Sequence, residues 1–202
     1  MTREVYSHMA DSLVLLHPGG ADPSAFGPQF DALADFALHA PHRTDQATQD
    51  HTEMAHETIE FLERIGPAHL LGCSDGATVA LLTATLRPDL VQRLVVVCGV
   101  YHHDGWDPAT ELTPMHRRSP ALTAEDLAKL PNRTLIMIGD DDEVTLEHAA
   151  KMYRALPNAE LAVVPGTSHG LLHEKPALCN AMIVDFLTND PVETYAPIRR
   201  RM

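Results

Sequence analysis

The chain has 202 residues, 45% of them hydrophobic, with 28 acidic against 15 basic side chains and a formal net charge of −13. That length fits a single domain with a sizeable core. The acidic balance argues against phosphate backbones and anionic lipid surfaces, so no nucleic acid and no membrane is expected as partner.

Short runs rich in Val, Leu and Ile alternate with helical patterns along the chain. Residues 13–17 (LVLLH) form the first strand candidate and run into His17-Pro18-Gly19-Gly20; residues 36–40 form the second. A helix pattern over 52–65 ends at Gly66-Pro67, and a third strand over 69–73 meets a helix pattern over 77–86. A fourth strand follows at 94–98 (LVVVC). Residues 101–131 break the rhythm: they are polar, punctuated by proline and without a strong strand, with Thr123 to Asp126 able to open one short helix. The alternation then resumes with a strand at 135–138, a helix at 146–156, a strand at 161–164 and a helix at 176–187. The strand candidates are apolar on both faces, as strands covered by helices on each side are. The expected fold class is α/β, a mostly parallel sheet flanked by helices on both faces, with its site at the C-terminal strand ends.

Chemistry concentrates at those strand ends. Gly72-Cys73-Ser74-Asp75-Gly76 is Gly-x-Ser-x-Gly at a strand–helix junction. A serine hydroxyl is a poor nucleophile unless a sharp turn projects it toward a base, and the flanking glycines permit that turn. The helix that follows starts with free N–H groups aimed at developing negative charge. Gly139-Asp140-Asp141-Asp142-Glu143 follows the fifth strand and Pro165-Gly166-Thr167-Ser168-His169-Gly170 the sixth. Serine, acid and histidine thus come in the chain order of one hydrolase architecture, not that of chymotrypsin or subtilisin.

Four blocks, HPGG, GCSDGA, GDDDEV and PGTSHGLLHEKP, stand in the order of the α/β-hydrolase superfamily, which the chain resembles over residues 13–187. The elbow and acid loop are similar to the valacyclovir-hydrolase (biphenyl hydrolase-like) branch and its bacterial relatives. The resemblance implies Ser74 as nucleophile and His169 as base, with Asp142 as the acid, since the family's acid loop reads Gly-x-x-Asp. It implies an oxyanion hole from the backbone N–H groups of Gly19 and Asp75; Pro18 stands where the family usually has glycine. Gly20 and Trp106 are weaker candidates for touching substrate. The family usually carries two further strands before its HGGG-like block and often a large cap. Here 16 residues precede His17, and 101–131 allows only a short cap or flap. The expectation is a trimmed hydrolase of one domain over 1–202, with a C-terminal tail at 188–202 holding Arg199-Arg200-Arg201. Pairing of two copies through an exposed sheet edge is a further expectation.

Other residues have plainer readings. Asp75 reads as a solvated first-turn residue, with binding of a substrate ammonium as the alternative. His17 shapes the oxyanion loop. His148 and His173 read as helix-surface residues, and His102 and His103 should point to opposite sides of an extended chain. Trp106 reads as loop packing. The three cysteines, Cys73, Cys98 and Cys179, read as reduced buried thiols, and with no secretory core in MTREVYSHMADS the expected location is cytoplasmic. No zinc-binding spacing appears among the 13 histidines, so no metal and no cofactor is expected. The activity expected is cleavage of small carboxylic esters through an acyl-enzyme. Lactonase, amidase or thioesterase chemistry on the same triad, or a non-catalytic ligand-binding protein on this fold, are the alternatives.

Overall fold

The computed structural model describes residues 10–42 and 50–196; Arg199-Arg200-Arg201 and most of the N-terminal segment lie outside them. In chain order the elements are β1 (Ser12–Leu16), α1 (Gly27–Phe30), β2 (Ala37–His39), α2 (His51–Ile65), β3 (Ala68–Cys73) and α3 (Asp75–Leu86). They continue with β4 (Val91–Val97), α4 (Ala124–Leu127), β5 (Arg133–Gly139), α5 (Leu146–Ala155), β6 (Ala159–Val164), α6 (Leu171–Glu174) and α7 (Pro176–Thr188). The six strands form one sheet of order β2-β1-β3-β4-β5-β6, and every pairing is parallel.

Side chains alternate across each strand, so neighbouring apolar residues enter opposite cores. Val14, Leu16, Leu70, Leu94, Val96 and Ile136 pack on one face with Met54 and Leu62 of α2, Leu81 of α3 and Met152 of α5. Leu13, Leu15, Leu71, Val95, Val97 and Met137 pack on the other with Phe26, Leu171 and the α7 residues Ile183 and Phe186. Each fully buried Leu or Val contributes about 1.5–3 kcal/mol by leaving water. The edges differ from the centre: β2 is half-buried throughout, and Val163 on β6 is 44% exposed. There the apolar run reflects one covered face rather than two.

Caps fix the element ends. Asp50 accepts from the Thr52 and Glu53 N–H groups while Glu53 accepts from the Asp50 N–H, a capping box that starts α2. Thr123 and Asp126 make the same exchange at α4. β4 and β5 begin earlier than the apolar runs suggest, at Val91 and Arg133, because Arg93 and Arg133 pair within the sheet. Both guanidiniums donate to the Phe186 and Asn189 carbonyls at the end of α7, where a cation is favoured.

The chain leaves β1 for β2 on one side and returns to β3 on the other. That reversal opens a crevice at the C-terminal strand ends, where ligands of open parallel sheets bind. The loop after β1 and the turn after β3 lie side by side there.

Candidate active site

β3 ends at Cys73; Ser74 follows with φ 55 and ψ −121, and α3 begins at the next residue. A positive φ costs a non-glycine residue on the order of 1–3 kcal/mol and persists where surroundings enforce it. The enforcement is visible: the Ser74 N–H donates to Val97 O, and Ser74 O accepts from Ala77 and Thr78. Both flanking glycines are sterically required. A Cβ on Gly72 would lie 2.1 Å from Gly76 O, and one on Gly76 would lie 1.9 Å from Leu16 O.

The turn presents Ser74 Oγ 2.9 Å from His169 Nε2. His169 Nδ1 in turn lies 2.7 Å from Asp142 Oδ1. Asp142 also accepts from the N–H groups of Gly139 and Val144 and, at Oδ2, from the Cys98 thiol at 2.9 Å. Burial pushes its carboxyl up, but the hydrogen bonds from His169 and Cys98 and the His169 charge outweigh that, leaving it below the usual carboxylate range. His169 is pushed down by burial and, more strongly in sum, up by the Asp142 hydrogen bond and charge, so it titrates above 6.5.

The three consecutive aspartates divide their work. Asp142 meets His169, while Asp140 accepts from the Thr167 N–H and ties the acid loop to the histidine loop. The Asp141 N–H donates to Thr167 O and its residue is exposed. Behind His169, Glu174 accepts from the Ser168 N–H and hydroxyl, and Lys175 Nζ donates to Pro165 O, so the Glu-Lys pair of the last block braces the loop.

Gly19 and Gly20 are exposed at the crevice, Gly20 with φ 68. A Cβ on Gly19 would come within 1.9 Å of Asp75 Oδ2, so the β1 loop and the elbow are in contact and a larger residue at 19 would have to displace the Asp75 side chain. The Asp75 N–H stands at the first turn of α3, where the helix has no internal acceptor for it. His17 is fully buried with Nδ1 2.9 Å from Pro18 O, which fits its reading as a loop-shaping residue.

Several plainer readings need correction. Asp75 is not solvated: it is 5% exposed, and its Oδ1 lies 2.9 Å from both His51 Nε2 and His116 Nε2. Burial raises its carboxyl, and the two imidazole hydrogen bonds more than reverse that, holding it far below the ordinary range. His148 is not on the surface; it is buried, its Nε2 accepts from the Tyr101 N–H, and burial holds it at about 4. His102 is extended, but the chain turns from His103 to Gly105, bringing the two rings to 4.1 Å. His173 is exposed. Cys73 is buried as read, and burial pushes its thiol up to about 12.

Residues 101–131 cross the strand ends as a flap. Trp106 is 7% exposed, bridges to Val144 two residues beyond Asp142, and sits with its ring 6.0 Å from that of His169 and 5.3 Å from that of His116. Sequence reasoning missed His51, His116 and Cys98. Each lies far along the chain from its partner, at 24, 41 and 44 residues, and no local spacing marks such pairs.

No protein-family model matches the chain. It is 32% identical over 102 residues to (E)-2-((N-methylformamido)methylene)succinate hydrolase of Acinetobacter baylyi, a match covering 45% of this chain and 38% of that enzyme. Among solved structures it resembles an α/β hydrolase enzyme from a Medee basin deep-sea metagenome, with TM-score 0.77, 17% identity, and 97% and 94% of the two chains covered. A carboxylesterase of Bacillus subtilis gives TM-score 0.73 at 18% identity, covering 89% of this chain and 84% of that one. A meta-cleavage product hydrolase of Pseudomonas fluorescens gives 0.75 at 19%, covering 88% and 90%.

Proposed function

This chain has the α/β-hydrolase fold, and from that premise we propose that it is a serine hydrolase cleaving small carboxylic esters. The observation that carries the reading is the unbroken relay Ser74 Oγ–His169–Asp142, with both links at 2.9 Å or less.

In this proposal His169 Nε2 takes the Ser74 proton as Oγ attacks the acyl carbonyl. Asp142 holds the Nδ1–H tautomer and stabilises the imidazolium that forms. The Gly19 and Asp75 N–H groups receive the tetrahedral oxyanion, assisted by the N-terminal end of α3. His169 then protonates the leaving alcohol, and a water deprotonated by the same ring clears the acyl-enzyme. The relay uses neither metal nor organic cofactor. Gly20 and Trp106 flank this path, Gly20 beside the oxyanion donor and Trp106 beside the base.

The Acinetobacter relative supports a second reading, since the compound it is named for carries a formamide; amide cleavage would use the same residues. Turnover of p-nitrophenyl acetate against a matched formamide separates the two. Ser74→Ala should lower either activity by at least about a thousandfold while leaving the circular dichroism spectrum unchanged. Undiminished turnover in that variant would refute the serine mechanism.

A further inference from the structure

The relay has no use for His51 or His116, yet both are aimed at the residue beside the nucleophile. His51 comes from the start of α2, Asp75 from the elbow and His116 from the flap, three segments far apart in sequence. His51 is fully buried and the His116 side chain 18% exposed. Both imidazoles approach the same atom, Asp75 Oδ1, at 2.9 Å, and the three donor atoms lie within 4.8 Å of one another. Both contacts run through Nε2, so two imidazole nitrogens and one carboxylate oxygen, three potential ligand atoms, converge on one point.

We propose that His51, Asp75 and His116 form a site for a borderline divalent cation of the zinc type, which clasps the flap onto the elbow. Two imidazoles and one carboxylate suit Zn²⁺ or Co²⁺ and not Mg²⁺ or Ca²⁺, which take oxygen ligands. Tetrahedral zinc bonds of about 2.0–2.2 Å need donor atoms only slightly further apart than the two 2.9 Å contacts, a small adjustment for a flap side chain. The outer contact is also in place: His51 Nδ1 lies 3.0 Å from Ser119 Oγ. When metal takes Nε2, the imidazole proton moves to Nδ1 and is donated to that hydroxyl, the usual support for a ligating histidine. His51 can thus turn Nε2 to the ion by changing tautomer, its proton passing to the Nδ1 side that faces Ser119. The ion would replace two hydrogen bonds by a cross-link between three segments and leave the Asp75 backbone N–H in place. This site stands whether or not Ser74 turns over an ester.

Titrating the full-length protein with Co²⁺ tests the site by its visible ligand-field absorption, with differential scanning calorimetry alongside. The expected result is one ion per chain with an intense tetrahedral-type band. Zn²⁺ at about a hundredfold excess over Kd should raise Tm by roughly 5–10 °C, and Mg²⁺ should not. The band should vanish in His116→Ala and in Asp75→Asn. It should persist in His169→Ala and in His102→Ala, which disable the two other groupings of potential ligands among the described residues. Because His116 is on the flap, its loss leaves both sheet cores untouched. Absence of stoichiometric binding in the native protein, or a band that survives His116→Ala, would overturn the proposal.

Discussion

At the scale of single residues, the second oxygen of Asp142 distinguishes this relay. Its Oδ2 is held by the Gly139 N–H and by the Cys98 thiol, and Cys98 itself sits at φ 52 at the end of β4. A hydrogen bond to a charged group contributes about 1.5–3 kcal/mol. Cys98→Ala should therefore slow kcat about tenfold or more through Asp142, and Cys98→Ser, which keeps a donor, should recover much of the loss. Steady-state kinetics on the two variants checks this; equal losses would show that volume, not the donor, matters. The proposed His169 base has its own signature. It must be neutral to accept the Ser74 proton, and Asp142 raises its titration above 6.5, so kcat/KM should fall as pH drops through a point above 6.5. Asp142→Asn should move that limb downward while lowering the plateau. Ser74, Asp142 and His169 were legible from sequence because each follows a strand in a short local pattern. Cys98 was not, because a thiol ending an apolar strand looks the same whether or not a carboxylate lies behind it.

At the scale of elements, the site is built where glycines let backbones touch. Position 76 brings the first turn of α3 onto the carbonyl of Leu16, where a Cβ would lie 1.9 Å away, and no flexible side chain can yield there. Gly76→Ala should cost about 3 kcal/mol or more, seen as a lower urea midpoint, and should separate the β1 loop from the elbow. An unchanged midpoint would contradict the close approach. Gly76 stood out in the sequence as part of a motif, although the atoms it avoids lie at the end of β1, some sixty residues earlier. The flap was legible as an interruption and its α4 cap as a Thr-x-x-Asp pattern. Its path over the site was not, because His116 and Trp106 are placed by partners on other elements.

At the scale of the whole molecule, alternation of apolar runs and helix patterns was enough to read the parallel sheet, since buried central strands need apolar residues on both faces. The edges carried less signal, as half-covered β2 and β6 resemble central strands in composition while remaining partly exposed. Burial also leaves a global mark on pH dependence. His148 titrates at about 4 in the fold against 6.5 when exposed, so between those values the unfolded chain binds more protons. Stability from this group is complete above 6.5 and is lost as pH falls toward 4, by about 3 kcal/mol in all. His148→Gln, which keeps an acceptor for the Tyr101 N–H, should flatten that loss in urea titrations run across the same window. An unaltered acid slope would mean other groups set it.

If Ser74 is an activated nucleophile, as proposed, a fluorophosphonate reads it most directly. Intact-protein mass after incubation should show one adduct per chain, mapped to Ser74 by peptide sequencing. The adduct should be absent in Ser74→Ala and strongly slowed in His169→Ala. A folded native protein that takes no adduct, or takes it at another residue, would contradict the account and leave the ligand-binding reading of this fold in its place.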